Sequence, residues 1–594
     1  MNKNEIYELT IEDIGTDGEG IGHVIEADVV TGKGVTGANG SSFLAGQSVD
    51  AGNTAAAEKN RGIAVFVKDT VVGDVVSVKI IKVKKNYAYG RLMEIIKPSP
   101  YRVEAVCGNA RRCGGCAIMH MSYDKQLEYK RNKVKNCLER IGGLSDVENI
   151  MEPIYGMQEP YHYRNKMQFP VGLDKDGQVQ IGFYAGRTHS IIDLEQCAIG
   201  HPVNDYIVKH MRNWLQKYQN ITGSFVYNEE AHKGLVRHIL TRVGFTTGEL
   251  MVCVVINGNS LDSGKKQSGC KSDSQKADID KSVIGKSGEF NNSSVVEREL
   301  LDALNAAVSE YNVDICSEQN RVNVSGLSAD MSDSAQVDKA DGACKGVCGA
   351  ADREIKLTSV SININKEKTN KILGDRCVTL YGQDYISDYI GDIRFNISPL
   401  SFYQVNPAQT KVLYDKAVEY ADLTGEEVVW DMYCGIGTIS LCLAKRAKKV
   451  YGVEIVPQAI EDAKENAEIN DIRNTEFFCG KAEEVVPAFY DSRDKSSNNQ
   501  AHKPAERSGE DSCNGRHPDV VVVDPPRKGC DSVLLDTIDK MAPKRLVYVS
   551  CDPATLARDV KILCEKGFGV EKVAVVDQFG HSTHVESVVL LSRA

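Results

Sequence analysis

Apolar and polar residues alternate in several segments of the first hundred or so positions of the chain. Three apolar residues there alternate with polar neighbours: Tyr7, Leu9 and Ile11. Three further strands are predicted: Ala64–Val67, Asp74–Val83 and Tyr87–Ile96. The pattern predicts an OB-like β-barrel over residues 1–97, with a Gly-, Ala-, Ser- and Thr-rich inserted loop at about residues 25–60. Such barrels commonly bind oligonucleotides, although a barrel without a ligand would show the same alternation.

The C-terminal third alternates between strand-like and helix-like segments. Seven apolar segments have the length of buried strands: Glu427–Asp431, Val450–Glu454, Thr475–Cys479, Asp519–Asp524, Arg545–Ser550, Val570–Asp577 and Val585–Leu591. The helical periodicity between most of them predicts a doubly wound α/β sheet in a domain at residues 386–594, with an insertion at about residues 492–518. Such sheets bind ligands beyond the carboxyl ends of their strands, so the residues that follow each strand are candidates for the site.

A central α+β region is predicted over residues 98–385. Strands are expected at His238–Val243 and Leu250–Ile256. From about residue 257 to residue 352 the chain becomes rich in Ser, Lys, Asp and Gly, which predicts a poorly ordered insertion. A helix is expected to interrupt this insertion at Val295–Tyr311.

Composition places the chain among ordinary globular proteins of several domains, since it has 594 residues, 42% hydrophobic and 26% charged. No apolar signal core and no membrane-length run are present, so a cytoplasmic protein without membrane contact is expected. The net charge of −11 argues against a general nucleic-acid coat. However, Tyr101–Arg140 holds nine Lys and Arg against four Asp and Glu, which leaves a local basic surface possible.

A glycine turn follows the first strand of the C-terminal sheet. Val428–Asp431 leads into Cys434–Gly437, and a second strand ends about twenty residues later in Glu454, an acid that can hydrogen-bond two ribose hydroxyls. The turn lacks the G-x-G-x-x-G form that binds a pyrophosphate. Asp431 would repel phosphate but suits a cationic nucleoside such as S-adenosylmethionine. A structural turn in another α/β enzyme is the alternative from this motif alone.

Two reactive side chains lie near later strands of the same sheet. Cys551 follows a strand and precedes a predicted helix, whose N-terminus is expected to lower the pKa of the thiol. Glu586 begins the last strand, where it is either a base or only a charge at a strand start. The Asp-Pro-Pro sequence at Asp524 is typical of nucleic-acid methyltransferases, but Pro-Pro is also a common loop stop.

Three cysteines form a compact C-x5-C-x2-C cluster in a Gly- and Arg-rich loop: Cys107, Cys113 and Cys116. Disulfides are not expected among the 18 cysteines of a cytosolic chain. Zinc with a fourth ligand, an iron–sulfur cluster and reduced cysteines without a metal all remain open from the spacing. The C-x3-C pair Cys344 and Cys348 lies in the insertion and is interpreted as incidental.

Together these motifs resemble the TrmA/RumA family of RNA uracil-5 methyltransferases, and in particular its 23S rRNA branch (RumA/RlmD-like). The resemblance rests on stretches that lie in order: Tyr161–Pro170, Gly182–Arg187, Gly234–Gly244, Ser398–Asn406, Asp431–Thr438, Asp524–Gly529, Ser550–Asp559 and His584–Glu586. It implies a class I S-adenosylmethionine methyltransferase domain, Rossmann-like, behind an OB-like TRAM barrel and a central α+β iron–sulfur domain. One departure is Gly580, where many relatives have a proline, which puts the stiffness of that loop in doubt.

The resemblance also implies a reaction, namely S-adenosylmethionine-dependent methylation of C5 of a uridine in 23S rRNA to give 5-methyluridine. Cys551 is the implied nucleophile that adds to C6, and Glu586 is the implied general base. The implied cofactor-binding residues are Gln404, Tyr433, Glu454 and Asp524. Phe402 and Gln404 are implied to contact the uridine, and RNA is the implied partner, with no obligate protein partner.

A [4Fe–4S] cluster is implied as well, held by Cys107, Cys113, Cys116 and the distant Cys197. Because methylation needs no electron transfer, a structural or RNA-positioning role is expected for it. The neighbouring basic run Lys125–Lys135 is either a solvated helix face or a phosphate-contacting surface.

Three alternative functions stay open. The same chemistry on the tRNA T-loop is one, although the cysteines and the barrel favour the rRNA branch. RNA cytosine-5 methylation is less favoured, because no cysteine follows Pro525 and Pro526. A non-catalytic RNA-binding or ribosome-assembly factor is the third, against which Cys551 and Glu586 argue.

Overall fold

The structure is a computed structural model that describes residues 1–24, 62–186, 188–264, 294–326, 353–489 and 518–593. The insertions predicted at about residues 25–60 and 492–518 lie almost entirely outside the described residues. Much of the insertion predicted at residues 257–352, including the Cys344 and Cys348 pair, also lies outside them. Within the described ranges, no helix is both long enough and apolar enough to cross a membrane.

Six strands form the N-terminal sheet: β1 Ile6–Thr10, β2 Asp13–Ile14, β3 Gly20–Val24, β4 Ile63–Val67, β5 Val75–Val83 and β6 Tyr87–Lys97. Their order is β1-β5-β6-β4-β3-β2, and only the β4–β6 pair is parallel. The alternation in the sequence is realised as a core of inward side chains: Tyr7, Leu9, Ile11, Val65, Val67, Val76, Val78 and Ile80. Alternate residues of a strand point to opposite faces, so one face of each strand fills this core.

A buried carboxylate joins this sheet to the chain that follows it. Asp74 accepts hydrogen bonds from the backbone N–H groups of Val71 at 2.7 Å and Ser99 at 2.8 Å. It also pairs with the Arg102 guanidinium at 2.5 Å, and its side chain is fully buried. Burial alone would raise the pKa of Asp74, but these hydrogen bonds, with that from Arg102 foremost, lower it overall.

Seven strands form the central sheet: β7 Lys166–Leu173, β8 Val179–Tyr184, β9 Ile191–Asp193, β10 Val236–Val243, β11 Glu249–Ile256, β12 Lys356–Ile364 and β13 Arg376–Gly382. Their order is β13-β12-β11-β10-β7-β8-β9, with β11 and β12 parallel. Among the described residues of this region, the α-helices are α1 Tyr123–Arg140, α2 Val147–Ile150, α3 Val203–Thr222 and α4 Val295–Gly326. The apolar sides of α3 and α4 share one core with the sheet, and α4 runs beyond the predicted end at Tyr311.

The C-terminal part begins with a hairpin, β14 Ile386–Ile390 and β15 Ile393–Ile397. Seven strands then form one sheet: β16 Val428–Met432, β17 Lys449–Glu454, β18 Thr475–Cys479, β19 Val520–Val523, β20 Arg545–Ser550, β21 Phe568–Val576 and β22 Glu586–Arg593. Their order is β18-β17-β16-β19-β20-β22-β21, and β22 alone runs antiparallel to its neighbours. The predicted doubly wound sheet is confirmed.

Helices cover both faces of this sheet: α5 Pro407–Ala421, α6 Thr438–Ala444, α7 Pro457–Ile469, α8 Ser532–Met541 and α9 Pro553–Glu565. A further helical stretch spans 482–489. Two cores result, one on each face, and both contain the nearly all-apolar strands that the sequence predicted. Parallel strands that are buried on both faces consist of nearly continuous apolar residues, so these strands could be predicted from the sequence.

Loss of the Asp74 carboxylate should loosen the N-terminal sheet. Asp74→Ala removes a fully buried carboxylate that accepts from the partly buried Arg102 guanidinium and from two backbone N–H groups, and we expect a destabilisation of about 3–5 kcal/mol. Urea unfolding of the full chain, followed by hydrogen exchange in β1 to β6, measures it. Glu8→Ala, at an exposed position of β1, is the matched control and should change the stability by less than about 0.5 kcal/mol. Equal stability of the two variants would contradict the role given to Asp74.

Candidate active site

A cavity of about 1040 Å³ opens at the carboxyl ends of the parallel strands of the C-terminal sheet. It is lined by every residue that the sequence predicted for catalysis, cofactor binding and uridine contact: Phe402, Gln404, Tyr433, Glu454, Asp524, Cys551 and Glu586. The residues come from separate loops that lie up to about two hundred positions apart in the sequence. Their convergence follows from the parallel sheet, because its strands all end at one edge.

The turn after β16 leaves open space at its centre. Gly435 and Gly437 have φ angles of +54° and +84°, in the left-handed region that glycine favours. A Cβ added at Gly435 would meet no atom within 4 Å, whereas one at Gly437 would press on Ala463 and Phe477 at 3.3 Å. Tyr433 also has a positive φ, +89°, and its N–H donates to the Val453 carbonyl. The backbone is therefore shaped for close approach of a ligand at Gly435.

Three carboxylates face the same part of the cavity. Glu454 ends β17 and accepts hydrogen bonds from the backbone N–H groups of Gly435 at 3.3 Å and Val456 at 3.0 Å. Asp431 is fully buried; its Oδ2 accepts from the Ser440 hydroxyl, while its Oδ1 has no partner among the described residues. Burial raises the pKa of Asp431 to about 7, and burial together with the charge of Asp431 raises that of Asp524 to about 7. Such a group of acids is suited to a cationic ligand.

Strand pairing brings Cys551 and Glu586 to the same end of the sheet. Ser550, the last residue of β20, is paired with Ser587 of β22 in the antiparallel register. Cys551 follows Ser550 and Glu586 precedes Ser587, and both line the cavity. Glu586 is buried, and Cys551 is half-buried at the cavity wall. A nucleophile and a candidate base thus share one end of the cavity.

The expected lowering of the Cys551 pKa is wrong. Burial, followed by the charges of Glu586 and Asp524, raises it to about 11. The first N–H groups of α9 do not serve the thiol, because the N-cap carboxylate of Asp552 accepts from Ala554 and Thr555 at 3.0 Å. Burial and the charge of Asp524 also raise the pKa of Glu586 well above its usual value.

The rim of the cavity carries the residues expected to meet a base. Phe402 is 70% exposed, unlike most large apolar side chains here, which suits a ring that stacks on a splayed nucleobase. Gln404 is buried nearby, and its backbone carbonyl accepts from the side chain of Asn165, the residue just before β7, at 3.0 Å. The buried Arg242 of β10 donates to the Ser401 carbonyl. The central sheet therefore holds this loop in place.

Sequence reasoning gave no role to three residues that also line the cavity: Arg527, Phe579 and His584. Arg527 opposes the acids, since its charge lowers the pKa of both Cys551 and Glu586. Burial and the charge of Arg527 lower the pKa of His584 to about 4, so this imidazole is neutral at pH 7. The position of Arg527 directly after the Asp-Pro-Pro sequence was the one available signal for it.

A second cavity, of about 540 Å³, is lined by the four cysteines of the predicted cluster, Cys107, Cys113, Cys116 and Cys197. Burial, followed by the charges of the other three, raises the pKa of the Cys116 thiol, and burial raises that of Cys197 to about 11. However, within the described ranges no three His, Cys, Asp or Glu side chains are arranged to hold a metal ion. The structure therefore gathers the cysteines but gives no support for the expected iron–sulfur cluster.

Comparison with known families identifies both ends of the chain. The tRNA (Uracil-5-)-methyltransferase family matches residues 364–594, and the TRAM domain matches residues 2–93. The second match agrees with the six-stranded N-terminal sheet, and the first contains the whole C-terminal sheet.

Whole-chain comparisons agree. The chain is 41% identical over 593 residues to an uncharacterized RNA methyltransferase of Bacillus cereus, covering 100% of this chain and 98% of that one. It is 39% identical over 592 residues to one of Clostridium tetani, with 100% and 97% covered. Its fold is similar to that of the tRNA (uracil-54, C5)-methyltransferase of Pyrococcus abyssi, solved with S-adenosyl-L-homocysteine, at a TM-score of 0.60 and 22% identity, with 98% and 99% covered. The class I methyltransferase fold with a TRAM barrel is thus confirmed, and the chain belongs to the RNA (uracil-5-)-methyltransferase family.

Proposed function

We propose that this protein methylates C5 of a uridine in 23S rRNA with S-adenosylmethionine as methyl donor, through a covalent bond between Cys551 and C6 of the uracil. The observation that carries the proposal is the single cavity that gathers Cys551, Glu586 and the three carboxylates of the cofactor end. Family membership supports uracil C5 as the position that is methylated.

The cofactor end of the cavity fits S-adenosylmethionine. The open space at Gly435 admits a ligand close to the backbone, and Glu454 is placed to accept hydrogen bonds from ribose hydroxyls. The unpartnered Oδ1 of Asp431 and the carboxylate of Asp524 supply negative charge. Tyr433 and Gln404 complete the set of proposed cofactor residues. When bound, S-adenosylmethionine supplies a methyl group on a positively charged sulfur.

Cys551 begins the reaction on the RNA. C5 of uracil is a poor nucleophile until the ring gains electron density. The Cys551 thiolate adds to C6, forming a C–S bond and moving the C5–C6 electron pair toward O4 as an enolate. C5 of the enolate then forms a bond to the methyl carbon of the donor, while the bond from that carbon to the sulfonium sulfur breaks and its electron pair leaves with sulfur as S-adenosylhomocysteine.

Glu586 completes the reaction as general base. Its carboxylate removes the remaining proton from C5, and the electrons of that C–H bond restore the C5–C6 double bond. The C–S bond breaks at the same time, which returns the Cys551 thiolate and releases 5-methyluridine. Cys551 directly after β20 and Glu586 at the start of β22 lie at the same end of this strand pair, which suits two steps on neighbouring carbons.

The rRNA target rests on the cysteine-lined cavity and the TRAM barrel together, the features by which the chain resembles the 23S rRNA branch. A tRNA T-loop uridine is the second candidate. It is favoured by the name of the matching family and by the tRNA substrate of the Pyrococcus abyssi enzyme. Either target requires a uridine extruded from its stack, for which the exposed Phe402 ring is a proposed platform.

We further propose that the four cysteines hold a [4Fe–4S] cluster. Their chemistry fits, because four thiols, the usual ligands of such a cluster, line one cavity. Its role would be structural.

Replacing Cys551 and Glu586 one at a time should separate formation of the covalent RNA adduct from its release. Cys551→Ala should abolish methylation and the covalent complex with RNA. Glu586→Gln should slow turnover by about 10²–10⁴-fold and accumulate a protein–RNA adduct that survives denaturing electrophoresis. Cys564→Ala, on α9 outside the cavity, is the control and should behave as wild type. An adduct formed by Cys551→Ala would refute the assignment.

The RNA target is decided by mass-spectrometric mapping of 5-methyluridine in 23S rRNA and tRNA from cells with and without the gene. Complementation with wild type, but not with Cys551→Ala, should restore the 5-methyluridine that is lost from 23S rRNA. Loss confined to tRNA would move the substrate and keep the mechanism. No loss in either RNA would overturn the proposed function.

Cofactor binding should depend on pH with a defined sign. Asp431 and Asp524 have raised pKa values of about 7, so below pH 7 a cationic ligand must displace protons before pairing with them. We expect the Kd for S-adenosylmethionine to fall about tenfold from pH 6 to pH 8, measured by calorimetry with proton release. Asp524→Asn should weaken the dependence, and so should S-adenosylhomocysteine, which lacks the sulfonium charge. A flat pH profile would contradict the arrangement.

Iron content tests the proposed cluster directly. Protein purified without oxygen should contain about four iron and four sulfide per chain, by chemical analysis. Cys197→Ser should lose most of both, while Cys377→Ser, in β13 of the same region, should keep them. Zinc bound by wild type in place of iron, or equal metal content in both variants, would refute the cluster.

A further inference from the structure

The connection between β21 and β22 brings two residues to the active site and leads directly into Glu586. This segment, residues 577–584, lines the cavity with Phe579 and His584. Any displacement of it would move the first residue of β22, where the proposed base lies. The contacts that hold residues 577–584 in place therefore affect the position of the proposed base.

A buried ion pair from the central region reaches the start of the segment. The Lys130 ammonium of α1 lies 2.5 Å from Oδ1 of Asp577, and both side chains are fully buried. The hydroxyl of Tyr123, also on α1, donates to Oδ2 of Asp577 at 2.7 Å. From the sequence, the basic run Lys125–Lys135 is either a solvated helix face or a phosphate-contacting surface. Neither interpretation applies to Lys130, because its side chain is fully buried. A buried pair of this kind is costly to form and more costly to break.

Four backbone carbonyls of the segment accept hydrogen bonds from the central region. The pairs are Lys130 Nζ to Phe579 O at 2.9 Å, Tyr163 Oη to Gly580 O at 3.0 Å, Ile118 N to His581 O at 3.0 Å and Lys133 Nζ to Thr583 O at 2.9 Å. These donors come from α1, from the loop after Cys116 and from the chain before β7. The restraint on this part of the segment thus comes from outside the methyltransferase sheet.

His581 is held at the centre of the segment in a strained backbone conformation. Its φ is +64°, which is uncommon for a residue other than glycine. The Gln126 carboxamide oxygen accepts from the His581 N–H at 3.0 Å, and the Tyr161 ring stacks on the imidazole at 4.7 Å. Strained residues persist where the surrounding contacts over-determine them, and they concentrate at functional sites.

The same contacts reach the cysteine-lined cavity. Ile118, whose backbone N–H donates to the His581 carbonyl, follows Cys116 by two residues. Tyr163 belongs to a small core with Met119 and Ile199, against which Cys107, Cys116 and Cys197 pack. The cysteine loop and the active-site segment are therefore joined through one layer of residues.

We propose that the central region positions residues 577–584 for catalysis, with Lys130 as the principal positioning residue and Tyr163 as a second. Lys130 fixes the segment at Asp577 and Phe579, and through it the start of β22. The inference rests on the proposed function for its catalytic consequence, but the restraint itself is a property of the fold. S-adenosylmethionine binding should be spared, because its proposed ligands Glu454 and Asp524 lie at the ends of other strands.

Two variants of the full chain test this role. Lys130→Met removes the charge, and Tyr163→Phe removes only one hydroxyl, so the second remains informative if the first does not fold. Lys135→Met, at a surface pair with Glu148, and Tyr218→Phe, whose hydroxyl binds Glu299, are the matched controls. For each protein we would measure kcat, KM for RNA, the Kd for S-adenosylmethionine and hydrogen exchange of residues 577–584.

Lys130→Met should lower kcat by about 10- to 100-fold and Tyr163→Phe by about threefold, as small displacements of reacting groups do. The Kd for S-adenosylmethionine should stay within about twofold of wild type, and amide exchange in the segment should accelerate. Unchanged exchange in Tyr163→Phe and in folded Lys130→Met would overturn the proposal. Parallel loss of kcat and cofactor affinity would overturn it too, since it would indicate general disruption. If wild type makes no 5-methyluridine, the proposed function fails, and the exchange comparison still decides the restraint.

Discussion

The antiparallel insertion of β22 between β20 and β21 is the constraint on which the site depends. Parallel strands deliver their carboxyl ends to one edge, where Cys551 follows β20, and an antiparallel strand delivers its first residue to that same edge. The register that pairs Ser550 with Ser587 thereby brings Glu586 and Cys551 to the same end of the strand pair. A slip of one residue would turn Glu586 to the other face of the sheet. The apolar cores on both faces oppose such a slip, because every buried side chain of β22 would move with it.

The C-terminal sheet and the residues that line the active site could be predicted because both follow from short segments of the sequence. Buried parallel strands are apolar runs, and ligand residues follow them at one edge, so Glu454, Asp524 and Cys551 could be found without coordinates. The role of Lys130 could not, because a lysine in a basic helix looks solvated and its partner Asp577 lies 447 residues away. The pKa of Cys551 was mispredicted for a similar reason. The cap formed by Asp552 and the charges of Glu586 and Asp524 are set by the folded chain.

The central region explains how loops from the methyltransferase sheet keep a fixed geometry. Arg242 and Asn165 hold the loop with Phe402 and Gln404 on one side of the cavity, and α1 holds the segment before Glu586 on the other side. Gly580 lacks the ring stiffness expected of a proline, and the hydrogen bond from Tyr163 restrains it in another way. The active-site walls therefore depend on contacts between regions of the chain.

The charges in the cavity link cofactor binding to the ionisation of the reacting groups in the proposed reaction. Burial is the main cause that raises the pKa of Asp431 and of the Cys551 thiol. Neighbouring carboxylates add to it: Glu454 for Asp431, and Glu586 and Asp524 for Cys551. A cation bound beside Asp431 and Asp524 offsets that negative charge, which favours ionisation of the thiol and of Glu586. The positive charge of Arg527 likewise lowers the pKa of Glu586. In the proposed reaction, binding of the positively charged methyl donor would therefore lower the electrostatic cost of ionising both the nucleophile and the base.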